Sequence, residues 1–71
     1  MEKEELRVIL NQRIEEKEGL EDLVTFFTDL INIGEIVGRQ KIDTEKNILA
    51  WKANISYLES QIFIFESILN A

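Results

Sequence analysis

The chain has 71 residues, 14 acidic and 8 basic side chains and a formal charge of −6, which makes one small domain near the lower size limit for independent folding. It contains neither cysteine nor histidine. That excludes disulfide staples, the usual Cys/His zinc sites, thiol nucleophiles and imidazole general bases.

The first segment, about residues 2–18, opens on Met1-Glu2-Lys3-Glu4-Glu5. It lacks the basic start and apolar run of a signal peptide, and no apolar run in the chain is long enough to cross a bilayer. A cytoplasmic location without membrane contact is therefore expected. Leu6, Ile9, Leu10 and Ile14 share one side, followed by the polar run Glu15-Glu16-Lys17-Glu18 and then Gly19. A helix continued in phase through this run aims Arg13, Glu16 and Lys17 at the same seam as Leu6 and Leu20. Charge there is costly unless the middle of the helix is solvated. A kink or break near Gly19 is expected, because glycine past a helix end takes the left-handed conformation cheaply.

The second segment, residues 20–37, carries Leu20, Leu23, Val24, Phe27, Leu30, Ile31 and Val37 on one face. Glu21 and Asp22 fall in its first turn, where the helix dipole favours negative charge. Gly38 is expected to cap it, with no role fixed for Gly34. Residues 38–43 read as the connection, and Asp43 or Thr44 as the N-cap of the next helix.

The third segment, residues 44–70, holds the clearest signal. Ile48, Trp51, Ile55, Leu58, Ile62, Phe65 and Leu69 recur in alternating steps of three and four, the spacing of an amphipathic seam. A second stripe, Tyr57, Gln61, Ile64 and Ile68, lies beside it. Lys46, Ala53, Ser60 and Ser67 form a small or polar strip expected to face water, and Phe63 falls outside the main arc. Trp51, the sole tryptophan, fits core packing, or a hot spot in a protein contact.

The expected fold is all-α: a helical hairpin with a kinked or broken first arm (about 2–18 and 20–37) and a long C-terminal helix. The apolar arc of that helix exceeds what its own chain can cover, so an oligomeric helical bundle is expected, with a monomeric three-helix bundle as the alternative.

The residues assigned to the oligomer interface are Trp51, Ile55, Tyr57, Leu58, Ile62, Phe63, Ile64, Phe65, Ile68 and Leu69. Catalytic residues and cofactors are not expected: Ser56, Ser60 and Ser67 have no visible base, and Glu21, Asp22 and Asp29 lack the Gly-turned loop of a calcium site. A non-catalytic interaction protein is expected, an adaptor or inhibitor of the kind that suits a virus-encoded effector. It would meet a protein partner through the acidic face Glu15, Glu16, Glu18, Glu21 and Asp22, with no docking on a nucleic-acid backbone. The alternative is a binder of phosphate-bearing ligands such as nucleotides, using Arg39, Lys41, Lys46 and Lys52 near a helix N-terminus.

Overall fold

The computed structural model describes residues 2–71; Met1 lies outside them. They form two helices, α1 (Lys3–Asn32) and α2 (Gly38–Leu69), packed antiparallel as a hairpin of about 50 × 14 × 14 Å. The hairpin and its long second arm match the sequence expectation. The segment boundaries do not.

α1 runs unbroken through Gly19, contrary to the break expected there. Gly19 is exposed, and its φ is not positive. Two long side chains remove the reason for a break. Arg13 and Lys17 do fall on the seam side, where each is half-buried, and long cationic side chains can cover apolar surface with their stems while the charged end stays in solvent. Their side chains remain 31% and 29% exposed and meet Glu16 at 3.2 Å and Glu21 at 3.9 Å. With that much of each side chain in solvent, the charges need not be fully desolvated.

The turn also moves. α1 ends at Asn32 rather than near Val37, and the residue that ends it is Gly34, at φ 81°. The Gly34 N–H donates to the Ile31 carbonyl (3.1 Å) and the Glu35 N–H to the Leu30 carbonyl (3.0 Å). This pair of bonds is the Schellman arrangement, which needs a left-handed residue at the glycine position. α2 then begins at Gly38 (φ 62°), not at Thr44, after an extended Val37. Asp43 and Thr44 therefore lie in the second turn of α2 and do not cap it. The expected connection, residues 38–43, is helical because Arg39, Gln40 and Lys41 are good helix formers and no proline interrupts them. The two arms become nearly equal, at 30 and 32 residues.

Every member of the α2 ladder is buried or half-buried. Phe27 meets Trp51 with ring centroids 5.5 Å apart and Phe26 edge-on at 5.2 Å. Counting outward in antiparallel register from Phe27 and Trp51 brings Leu20 level with Leu58, and both line one recess. Yet the core is thin. Among the described residues only Ile48 and Leu58 are buried, at 8% and 6% exposure. The accessible surface is 5329 Å², against about 4,600 Å² for a typical compact monomer of this mass. A hairpin has one seam, and each helix keeps its far side in solvent.

Candidate interaction surfaces

The two outer sides of the hairpin differ in chemistry. On α1, Glu15, Glu18 and Asp22 are spaced three and four apart and exposed, so they share the side turned away from α2. Glu16 and Glu21 lie nearer the seam, where they pair with Arg13 and Lys17. The five predicted acidic residues thus separate into an outer set free to face a partner and a rim set already engaged within α1.

Arg13, Glu16 and Leu20 of α1 and Asn54, Tyr57, Leu58 and Gln61 of α2 line an open recess of about 380 Å³. Gln61 donates through Nε2 to the Tyr57 hydroxyl at 3.1 Å. The recess holds one carboxylate and one guanidinium, already paired at 3.2 Å, so it presents no excess charge to attract an ionic ligand.

The predicted oligomer-interface residues also separate. Trp51, Ile55, Leu58, Ile62, Phe65 and Leu69 lie in the seam against α1, inside the chain's own fold. Tyr57, Phe63, Ile64 and Ile68 are exposed, Phe63 at 70%. Ile42 and Leu49, absent from the sequence-based set, are exposed on α2 as well, Leu49 at 68%. The signal that identifies them is a seven-residue spacing: Ile42, Leu49, Ser56 and Phe63 fall on one line of α2, on the side away from the ladder. Next to it runs the line Ala53, Ser60 and Ser67, and beyond that Ala50, Tyr57 and Ile64. From Leu49 to Ser67 this outer side carries no charged residue, because Lys52, Glu59 and Glu66 lie along its edge. The strip Ala53, Ser60 and Ser67 does face water in the hairpin. Ser60 and Ser67 donate their hydroxyls to the carbonyls of Ser56 (3.2 Å) and Phe63 (2.8 Å) of their own helix.

The basic residues Arg39, Lys41, Lys46 and Lys52 are all exposed on α2. They are spread along it, the first and last about 20 Å apart at the helical rise, and do not converge on one point. Only Arg39 and Lys41 stand in the first turn, beside the free backbone amides. Among the described residues there is no group of three or more acidic side chains placed to hold a metal ion, and no helix is long and apolar enough to cross a membrane.

No family model, curated protein or solved structure matches the chain.

Proposed function

We propose that the chain is a non-catalytic interaction protein that works in self-associated form, burying the outer side of α2 and presenting the acidic outer side of α1 to a basic protein partner. The observation that carries this reading is the sidedness of a thin hairpin. A helix that is apolar on opposite sides belongs in the interior of an assembly, and α2 has its ladder on one side and Leu49, Tyr57, Phe63 and Ile64 on the other. Surface apolar residues scattered singly need no explanation; a continuous uncharged side does. The acidic outer set on α1 has no such need of cover and suits electrostatic steering of a basic surface.

The test of the partner-facing half is a charge reversal on the outer set. Glu15→Lys, Glu18→Lys and Asp22→Lys together are expected to abolish partner capture while the helical circular-dichroism signal and the chain's mass in solution stay as in wild type. Capture that survives the triple reversal contradicts the assignment of the acidic side.

A further inference from the structure

Resting on the self-association proposed above, we infer that the outer side of α2 docks on the same side of a second copy of this chain, antiparallel, about a two-fold axis passing between Ser56 and Tyr57. Two observations select this occupant and this direction.

The first is the distribution of charge along α2. In its first half Arg39, Lys41, Lys46 and Lys52 outnumber Asp43 and Glu45; its second half carries only Glu59 and Glu66. An antiparallel pair sets the basic half of each helix along the acidic half of the other: on the one edge that carries charge, Lys52 of each copy lies beside Glu59 of the other, with Glu45 and Glu66 meeting only farther out, and Lys46 on the central line faces the uncharged Ser67. A parallel pair sets like halves together, and like-charge juxtaposition is a strong determinant against that direction.

The second is the self-complementarity of the side itself. In an antiparallel pair centred between residues 56 and 57, Leu49 lies against Phe63 of the second copy, Ala50 under its Ile64, and Ala53 against its Ser60. Ser56 and Tyr57 meet their own counterparts. Small meets small along the central line, large meets large or small on either side of it, no charge falls in the middle, and the same list is read from either chain, as a two-fold interface requires. Burying this strip leaves Ser60 and Ser67 satisfied, since both already donate their hydroxyl protons to their own backbone, and Ser56 at the axis meets the hydroxyl of its own counterpart, which can accept from it.

The area comes close to that of a stable pair. Ile42, Leu49, Tyr57, Phe63 and Ile64 are each more than half exposed. At roughly 200 Å² for a large side chain they offer on the order of 600 Å² per copy, and the alanine and serine positions add to it. A standard stable interface takes about 800 Å² from each partner.

The chain has no native cysteine, so single cysteines report proximity without background. The experiment uses the full chain with Ser56→Cys, Leu49→Cys or Phe63→Cys, all at exposed positions, under mild oxidation, alongside sedimentation of the unmodified chain. The expected results are a dimer mass, efficient linkage of Ser56→Cys chains to one another, and efficient linkage in a mixture of Leu49→Cys and Phe63→Cys chains. Neither of those two variants is expected to link well to itself. Self-linkage of Leu49→Cys with no mixed product means a parallel pair and overturns the inference while leaving self-association standing. A dimer that gives none of these links means another face, with the same consequence. A single-chain mass at every concentration removes both readings. A double variant, Ala53→Glu with Ser60→Glu, places carboxylates at the centre of the pair and leaves the α1 seam untouched. It is expected to weaken dimerisation by at least ~100-fold with helicity retained, and unchanged dimerisation counts against this face.

Discussion

Gly19→Ala decides whether α1 is one helix. In the structure Gly19 sits mid-helix, exposed, and a Cβ built on it meets no atom within 4 Å. Alanine there removes backbone freedom from the unfolded chain and clashes with nothing, so the helix gains about 1 kcal/mol. For a domain of this size that is a rise in melting temperature of about 4–8 °C. If instead the chain broke at Gly19 with a left-handed cap, alanine would cost roughly 1–2 kcal/mol and the melting temperature would fall. The two structures thus differ in sign, not only in size. Thermal unfolding followed by circular dichroism at 222 nm reads the difference, with wild type and variant at one chain concentration because association also raises the melting point. A fall in melting temperature refutes the continuous helix.

The glycine of the turn gives the opposite sign. Gly34→Ala meets no steric neighbour but must hold φ near 81°, so a loss of about 1–2 kcal/mol is expected in chemical denaturation; a neutral result contradicts the Schellman turn. Leu58→Ala, which empties one of the two buried positions among the described residues, is expected to cost at least about 2 kcal/mol by the same assay. Arg13→Met with Lys17→Met replaces seam charges by apolar chains of similar length. It is expected to leave stability level or raise it by up to ~1 kcal/mol, since both groups are about a third exposed and their ion pairs are screened. A large loss means those pairs hold the middle of the hairpin together. A thermal-shift series with nucleotides and inorganic phosphate is expected to show no rise beyond that of matched salt, because the basic residues of α2 do not converge; a saturable rise restores the ligand-binding alternative.

The hairpin and its seam were legible because the ladder from Ile48 to Leu69 keeps its three-four rhythm for six turns, and local spacing is what dictates a helix face. What misled at Gly19 was treating Arg13 and Lys17 as point charges. Their stems are apolar enough to pack, so a seam position tolerates them where a shorter charged residue would break the pattern. The turn was misplaced because a glycine can end one helix or open the next, and both Gly34 and Gly38 take positive φ. Only the backbone bonds from Gly34 and Glu35 to Ile31 and Leu30 distinguish the two. That shift hid Ile42 and the first turns of α2, and so the head of the line that runs on through Leu49 and Phe63, both of which already lay within the expected third helix. The acidic side of α1 was visible in composition. Its division into an outer set and a seam-rim set depends on the phase of an unbroken helix, which the expected break had erased.

Sedimentation equilibrium across a wide range of chain concentration bears most directly on the idea that α2 belongs inside an assembly. The expected result is a mass that climbs from 8.3 kDa to twice that value as concentration rises, with the Ala53→Glu, Ser60→Glu variant held at the lower figure. A well-folded chain that stays at the lower figure at millimolar concentration, with Leu49 and Phe63 still in water, contradicts it.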